Sequence, residues 1–347
     1  MNIAKSVPVV LDRPSRRSAA ALLSGILLSL ALPPLPLGFL AWFGLVPLFA
    51  ALEKADNRKE AFKLALLTAL LFHLTGMYWI AFNTGAGWGA RLGSSIGAIV
   101  ILTFWVGGVG VLHKILLERW GQHGHLVAVL LWTAQEVLRA RGELGFPWVF
   151  LSLTQSYYLP VMQLTAVGGT ALVSAWTTLL NALLLQRFDR RIKVAVLVTL
   201  LALTYAGGYM RIALVRKTME GPSPGRIGLA QGNIDAAVKW KKGAKYSIDI
   251  YETISRELVQ QDVDLIVWPE TATPVRLQQS RIWRPYMQAL VDSLGVPVVT
   301  GASHHEWEDG ERVRYNAAFM VRPDGHEQFD FYAKVHLVPF GERVPFQ

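Results

Sequence analysis

Three long stretches of the chain contain no acidic or basic residue. Residues 19–52, 92–112 and 144–186 hold no Asp, Glu, Lys, Arg or His. About 20 apolar residues in a helix cross the roughly 30 Å hydrocarbon layer of a bilayer, whereas a helix of a water-soluble protein keeps a polar face. These stretches therefore predict membrane-spanning helices. We predict seven spans, which lie at residues 19–32, 37–52, 62–81, 93–113, 125–140, 161–186 and 193–210.

The excess positive charge of the chain lies in the same apolar part. Residues 1–210 hold 17 Lys and Arg against 8 Asp and Glu, whereas residues 211–347 hold 17 of each kind. Clusters of basic residues at the ends of membrane helices are typical of cytoplasmic loops. The distribution therefore favours a membrane as the surroundings of the first part and argues against nucleic acid as a partner.

The loops between the predicted spans also indicate an orientation. Seven spans place most basic residues of the first part on one side, and only Arg91, Arg139 and Arg141 fall on the other. The side rich in Lys and Arg is expected to be cytoplasmic. The first apolar run ends in PPLP at residues 33–36 without a small-residue cleavage site, so we expect an uncleaved first span and a cytoplasmic N-terminus. The residues after 210 are then expected in the periplasm, outside a bacterial inner membrane.

The composition changes after a linker-like segment, GPSPG at residues 221–225. From there, short runs rich in branched apolar residues alternate with segments of helical spacing, which favours an α/β sheet domain. We predict strands at residues 226–233, 263–270, 296–301, 314–322 and 328–333, and helices at 244–260 and 281–294. The predicted organisation is a transmembrane domain of about seven helices at 1–210, a linker at 211–225, and the first part of a periplasmic α/β domain at 226–347.

Two ionisable side chains directly follow predicted strands. Glu270 ends the run LIVWPE, and Lys334 follows the run FDFYA. Ligands and catalytic groups collect at the carboxyl ends of strands in α/β sheets. We expect Trp268 and Pro269 to exclude water from the carboxylate of Glu270, which suits a general base. The alternative to a catalytic role is that Glu270 is an ordinary polar residue at a strand end and that Lys334 is a surface lysine. Glu342 lies in a Pro-Phe-Gly-Glu turn, where proline and glycine constrain the backbone.

Three longer motifs are more specific than these single residues. QGN at 231–233, VWPETATP at 267–274 and YAKVHLVPFGERVP at 332–345 resemble the nitrilase superfamily, and within it the membrane-bound apolipoprotein N-acyltransferases. The resemblance covers the whole chain, because that family also places its membrane spans before its nitrilase-like domain. It implies that the second domain has the αββα sandwich fold of nitrilases and is incomplete at residue 347.

The resemblance implies a catalytic triad of Glu, Lys and Cys. The first two correspond to Glu270 and Lys334, and the family's second glutamate corresponds to Glu342. The family's nucleophilic cysteine comes some tens of residues after the lysine, but this sequence contains no cysteine. The resemblance therefore implies a truncated chain whose nucleophile lies beyond Gln347 and which is inactive as given. A natural variant without the nucleophile is the alternative.

Substrate-binding residues are also implied by the resemblance. GFPW at 145–148 looks like a family motif, and KW at 239–240 falls where the family has a mobile arm that carries a tryptophan. Gly145, Trp148 and Trp240 are therefore expected to bind substrate.

The implied activity is transfer of a fatty acyl chain by way of a thioester. The acyl donor is a phospholipid, and the acceptor is the N-terminal amine of an apolipoprotein whose cysteine carries diacylglycerol. The expected partners are thus this donor, this acceptor and membrane lipids, and we expect a monomer. No cofactor is expected. No metal is expected either, because His304 and His305 lack the accompanying carboxylate or cysteine spacing of a metal site.

Two other functions stay open from the sequence. A membrane-tethered carbon–nitrogen hydrolase would cut a soluble amide with water as the acceptor, although a tether needs only one or two spans. A non-catalytic scaffold or a transporter is the second alternative, although transport paths usually place ionisable residues inside spans. Glu136, His73 and Asn181 lie near span interiors, and we expect them to make structural hydrogen bonds.

Overall fold

The computed structural model describes residues 11–83, 87–143, 145–221, 223–323, 329–338 and Glu342. Residues 339–341 of the predicted Pro-Phe-Gly-Glu turn and residue 328 of the predicted last strand lie outside the described residues. The described residues divide into a helical unit, which contains those at 11–83 and 88–220, and a sheet unit, which contains those at 221–342.

The described part of the helical unit contains nine α-helices. They are α1 (Pro14–Leu30), α2 (Ala41–Gly44), α3 (Val46–Lys54), α4 (Arg58–Met77), α5 (Trp88–Trp120), α6 (Gly124–Arg139), α7 (Leu159–Met162), α8 (Thr165–Leu185) and α9 (Arg190–Met219). Short 3-10 turns lie at Gly38–Leu40, Tyr78–Phe82, Gly121–His123 and Leu151–Gln155.

Four helical stretches of the described chain are long and apolar enough to cross a membrane. They are Arg58–Phe82, Trp88–Arg139, Thr165–Leu185 and Arg190–Met219, and the second contains both α5 and α6. The chain is therefore a membrane protein. The first two predicted spans coincide with α1 and with the short helices α2 and α3. The count of seven spans stays a prediction.

The last helix of this unit is longer than predicted. α9 continues to Met219 instead of ending at residue 210, so residues 211–219 of the predicted linker are helical. These residues, RIALVRKTM, contain neither Gly nor Pro. Arg216 and Lys217 also lie in the last turn, where positive charge interacts favourably with the helix dipole. The break in composition thus comes at Gly221.

Glycines let α4 and α5 pack closely. A Cβ at Gly107 would lie 2.7 Å from the ring of Phe62, and a Cβ at Gly110 would contact the Cβ of Ala65. Small residues allow membrane helices to approach in this way.

The polar residues near span interiors make hydrogen bonds, as predicted. Asn181 donates from Nδ2 to the carbonyl of Ala41 at 2.8 Å and accepts from the backbone N–H of Leu45 at 2.8 Å. The Nδ1 atom of His73 lies 3.1 Å from the hydroxyl of Thr103. These contacts satisfy groups that would be costly to bury without a partner.

The described part of the sheet unit is an α/β domain. Its elements are β1 (Ile227–Leu229), α10 (Ala236–Val259), β2 (Leu265–Val267), β3 (Thr273–Arg276), α11 (Trp283–Leu294), β4 (Val298–Glu308), β5 (Glu311–Val321) and β6 (Asp330–Ala333). The sheet has the order β1-β2-β4-β5-β6, and β3 pairs with β4. β1, β2 and β4 run parallel, whereas β4, β5 and β6 are antiparallel. The prediction of an α/β domain after a helical membrane region is confirmed.

Two features of this sheet were not predicted. β4 extends to Glu308 because it forms a hairpin with β5 through Asp309 and Gly310, whose φ angles are 50° and 82°. An Asp-Gly pair with two positive φ angles is a favoured two-residue hairpin turn. The short strand β3 contains Pro274, which is unfavourable inside a sheet.

Candidate active site

The strand arrangement places Glu270 at one edge of the sheet. Because β1, β2 and β4 run parallel, their carboxyl ends meet at the same edge. Glu270 follows the end of β2, and its backbone lies across β4 at Gly301: a Cβ at Gly301 would lie 2.7 Å from the Cα of Glu270. The next residue, Thr271, has a φ of 54°, which is unusual for a branched residue. The loop after β2 is therefore held in one particular conformation.

Three of the predicted site residues come together in the sheet unit. The Nζ atom of Lys334, which follows β6, lies 3.3 Å from Oε1 of Glu270 and 2.8 Å from Oε1 of Glu342. The second carboxylate oxygen of Glu342 accepts the backbone N–H of Val338 at 2.8 Å. The result is one ammonium between two carboxylates that are 72 residues apart in the sequence.

Asn316 of β5 is a member of this cluster that the sequence analysis missed. Its Nδ2 atom donates to Oε1 of Glu270 and, at 2.9 Å, to Oε1 of Glu342. Its backbone carbonyl also accepts the N–H of Lys334 at 2.8 Å. Asn316 thus contacts all three charged residues, and one amide nitrogen donates to both carboxylates.

The electrostatics of the cluster keep its lysine and second glutamate charged. Burial lowers the pKa of Lys334, but its hydrogen bond to Glu342 and the negative charge of Glu270 outweigh burial, so the pKa is raised. Burial raises the pKa of Glu342, but hydrogen bonds from Lys334, the N–H of Val338 and Asn316 outweigh burial, so the pKa is lowered. An ammonium that stays charged at neutral pH can stabilise a negative charge that develops on a reacting oxygen.

The expectation that Trp268 excludes water from Glu270 is wrong. The Trp268 side chain is buried in the core, where its Nε1 donates to Ser255 at 2.8 Å and its ring stacks on Tyr251 at 5.2 Å. The side chain of Glu270 is 61% exposed. β2 ends at Val267, so the strand alternation that would place residues 268 and 270 on the same side does not extend to Glu270.

The QGN motif has a structural explanation in this core. A Cβ at Gly232 would lie 2.9 Å from the ring of Tyr251, which is the ring that stacks on Trp268. Glycine at 232 therefore gives Tyr251 the space it needs. This contact links the loop after β1 to the strand that precedes Glu270.

Trp240 lies near the cluster through its neighbour Lys239. The Nζ atom of Lys239 donates to the carbonyl of Thr271, next to Glu270, at 3.2 Å. Trp240 itself is 59% exposed. Burial lowers the pKa of Lys239, and the charge of Glu270 acts in the opposite direction.

Gly145 and Trp148 lie in the helical unit. A Cβ at Gly145 would lie 2.7 Å from the carbonyl oxygen of Ala140, so this loop requires glycine, and the Trp148 ring packs against Trp79 at 4.9 Å. The following residue, Val149, has a φ of 56° and its carbonyl accepts from Arg139 at 2.7 Å.

Glu136 fixes the same loop of the helical unit. One of its carboxylate oxygens accepts the N–H of Leu151 at 2.7 Å, and the other accepts the hydroxyl of Ser174 at 2.6 Å. The buried polar residues Glu136 and Arg139 therefore hold the segment that follows the GFPW motif, and structural hydrogen bonding is confirmed for Glu136.

Two family models match the chain. The apolipoprotein N-acyltransferase N-terminal domain matches residues 24–183, and the carbon-nitrogen hydrolase model matches residues 226–347. These two matches fall on the helical unit and on the sheet unit.

Similar proteins with the name apolipoprotein N-acyltransferase come from several bacteria. The protein of Geobacter metallireducens is 33% identical over 96% of this chain and 66% of its own length. The protein of Gloeobacter violaceus is 32% identical over 95% of this chain and 65% of its own length. The protein of Chlorobaculum tepidum is 27% identical over 94% of this chain and 64% of its own length. The chain thus spans just under two thirds of the length of these three relatives.

The two matched domains lie in the two units of this chain, and the similarity to these relatives extends over nearly its whole length. With its membrane helices and its mixed α/β sheet, the chain belongs to the apolipoprotein N-acyltransferase family.

Proposed function

We propose that this chain is the larger part of an acyltransferase that moves a fatty acyl chain from a phospholipid to the N-terminal amine of a diacylglyceryl apolipoprotein. The observation that supports this most is the cluster at the sheet edge, where the Lys334 ammonium lies 3.3 Å from the Glu270 carboxylate. A base next to a fixed positive charge is what acyl transfer through a nucleophile requires. The sequence contains no cysteine, so the proposal places the thiol nucleophile outside these 347 residues.

In the first half of the proposed reaction, Glu270 accepts the thiol proton and the sulfur attacks the ester carbonyl of the phospholipid. Lys334 stabilises the negative charge on the carbonyl oxygen of the tetrahedral intermediate. The C–O bond then breaks, and the leaving oxygen takes the proton from Glu270. The products are a lysophospholipid and a thioester on the enzyme.

In the second half, the neutral α-amine of the apolipoprotein attacks the thioester. The C–N bond forms, the C–S bond breaks, and Glu270 transfers the amine proton to the leaving sulfur. The products are the N-acylated apolipoprotein and the free thiol. Lys334 again faces the tetrahedral intermediate, so one cation serves both half-reactions.

Glu342 takes the role of an orienting group in this scheme. Its lowered pKa makes it a weak base, and its hydrogen bonds to Lys334 and Val338 hold it in place. It fixes the position of the ammonium, as an anchor that does not itself exchange protons. Gly145, Trp148 and Trp240 are proposed to contact the lipid substrates, with Trp240 in the sheet unit and the other two in the helical unit.

We further propose the bacterial inner membrane as the location, with the N-terminus in the cytoplasm and the sheet unit in the periplasm. The asymmetry of Lys and Arg among the predicted loops supports this orientation. A monomer suffices, because the clustered groups come from one chain.

The test is acyl transfer by the full-length protein in detergent. The donor is a phospholipid with a fluorescent acyl chain, and the acceptor is a synthetic diacylglyceryl peptide with a free or an acetylated N-terminus. We expect transfer to the free amine alone, and losses of about 1000-fold for Glu270→Gln and for Lys334→Met, as for other groups that act in the transition state. Lys245→Met is the charge-matched control, since Lys245 pairs with Asp249 on the surface of α10.

The alternatives give other outcomes in the same assay. Release of free fatty acid or cleavage of a soluble amide, without transfer to the peptide, would favour a tethered hydrolase. Wild-type rates in both the Glu270 and the Lys334 variants would refute the proposed site.

A further inference from the structure

The segment before the kink in α10 carries a second lysine to the candidate active site. α10 begins after Asp235, whose side chain accepts the N–H of Ala237 at 2.8 Å, and it is interrupted at Gly243, where φ is 77° and ψ is −177°. We name residues 236–242 the Trp240 segment. It is a short helical piece that Gly243 separates from the rest of α10.

Lys239 reaches from the Trp240 segment to the loop after β2. Its ammonium donates to the carbonyl of Thr271 at 3.2 Å, and Thr271 directly follows Glu270. Other lysines nearby contact their own helix: Lys242 lies 4.3 Å from the ring centre of Tyr246, and Lys245 pairs with Asp249 at 2.7 Å. Lys239 therefore links two separate elements, whereas these neighbours do not.

The surroundings of Lys239 make this contact more than a surface hydrogen bond. Lys239 is half-buried, and burial of its ammonium lowers its pKa, which is a cost that an exposed lysine does not have. Its acceptor, Thr271, has a φ of 54°, a conformation that a branched residue adopts only when its surroundings hold it there. The negative charge of Glu270 favours the ammonium form of Lys239.

The position of the Glu270 carboxylate depends on this loop. Its side chain is 61% exposed, and among the described residues Lys334 and Asn316 donate to it, both at Oε1. The backbone beneath it is held by Gly301 on β4 and by Lys239 at Thr271. Loss of the Lys239 contact would free the residue next to Glu270 to leave its strained conformation.

We propose that Lys239 is a positioning residue that attaches the Trp240 segment to the Glu270–Thr271 turn and so fixes the catalytic carboxylate. The inference rests on the proposed function, since it assumes that Glu270 is the base. Lys239 acts through the backbone of Thr271, and its amine exchanges no proton with substrate. The same contact holds Trp240, one residue on, beside the site.

The experiment compares Lys239→Met, Lys239→Arg and Lys245→Met in the full-length protein. Lys239→Met keeps the length of the side chain and removes the charge and the donors, whereas Lys239→Arg retains both. Lys245→Met removes one lysine on the other side of Gly243. The first measurement is the rate of trypsin cleavage after the exposed Lys241 and Lys242, which requires local unfolding of the Trp240 segment. The second is the kcat and KM of acyl transfer.

We expect Lys239→Met to speed cleavage after Lys241 and Lys242 by about tenfold, as loss of one hydrogen bond to a charged donor predicts. We expect its kcat to fall about tenfold, with KM for the phospholipid changed less than about twofold. Lys239→Arg should restore both values, and Lys245→Met should match the wild type.

Three outcomes would overturn the inference. They are wild-type cleavage in Lys239→Met, faster cleavage with an unchanged kcat, and failure of Lys239→Arg to restore either value. If the wild-type protein transfers no acyl chain, the proposed function fails. The cleavage rates then decide by themselves whether Lys239 attaches the segment.

Discussion

Replacement of Asn316 by Asp tests the candidate site most directly, because it changes one group at the centre of the cluster and keeps its shape. The amide of Asn316 donates to Oε1 of both Glu270 and Glu342. An aspartate at 316 would place a third carboxylate beside those of Glu270 and Glu342. All three would then face one cation, Lys334. Two attractive contacts would thus become repulsive.

The size of the effect follows from the distances. Two unit charges 2.9 Å apart, the distance from Asn316 to Glu342, repel by about 1.4 kcal/mol at the dielectric constant of water. The lost hydrogen bond to the Glu270 carboxylate adds about 1.5 kcal/mol. Glu342 is held by the N–H of Val338, and its side chain is 23% exposed, whereas Glu270 is 61% exposed. We therefore expect Glu270 to move away into water, so that the cluster loses its proposed base.

The assay is acyl transfer as a function of pH, together with thermal unfolding. We expect Asn316→Asp to lose about 100-fold in rate, equal to about 2.7 kcal/mol. The acidic limb of the pH–rate profile should move to higher pH, because an added negative charge favours protonation of the neighbouring carboxylates.

Gln288→Glu is the matched control for Asn316→Asp. The amide of Gln288 on α11 also donates to a carboxylate, that of Asp292, at 2.7 Å. Gln288→Glu therefore adds one negative charge next to a carboxylate, as Asn316→Asp does, but next to Asp292 instead of Glu270 and Glu342. Asn316→Asp with a wild-type rate and pH profile would refute the role of Asn316, and equal losses in both variants would show a general effect of charge.

Three further perturbations test other parts of the structure. Gly301→Ala should lower the rate of acyl transfer at least tenfold relative to the wild type. Its Cβ would lie 2.7 Å from the Cα of Glu270, so the loop after β2 would be displaced. The lowered pKa of Glu342 stabilises the folded state above the pKa of an unfolded glutamate, and this stability is lost as pH falls through the folded pKa. The raised pKa of Lys334 stabilises the folded state below pH 10.5, and this stability is lost as pH rises through its folded pKa. Melting temperatures measured against pH should show both losses, and Lys334→Met should lack the second. Glu136→Leu should lower the melting temperature by several degrees, since it leaves two buried donors unpaired, and Glu136→Gln should lower it less.

The sequence predicted the parts of the fold that depend on local patterns. Charge-free stretches of apolar residues gave the membrane region, and short apolar runs gave the strands before Glu270 and Lys334, because both patterns are written in neighbouring residues. The end of α9 at Met219 was missed, since the prediction followed hydrophobicity and the helix continues through a charged segment without Gly or Pro.

The role of Asn316 could not be predicted from its position alone. It lies inside β5, where asparagine is uncommon, and that is the only local signal. Its partners Glu270 and Glu342 lie 46 residues before it and 26 residues after it. Contacts of this kind depend on the pairing of β4, β5 and β6, which brings distant parts of the chain to one edge. The mistaken role of Trp268 has the same origin, because its ring faces the core that Tyr251 completes.

The contacts of the two carboxylates also indicate which of them better fits the proposed role of base. Glu342 uses both oxygens, since Oε1 faces Lys334 and Asn316 and Oε2 accepts from Val338. Within the described part of the chain, the contacts of Glu270 go to Oε1, from Lys334 and Asn316. Its Oε2 then remains for a proton from a nucleophile. A carboxylate held at one oxygen can accept a proton at the other without breaking its contacts, so the geometry favours Glu270 as the base and Glu342 as the anchor of the ammonium.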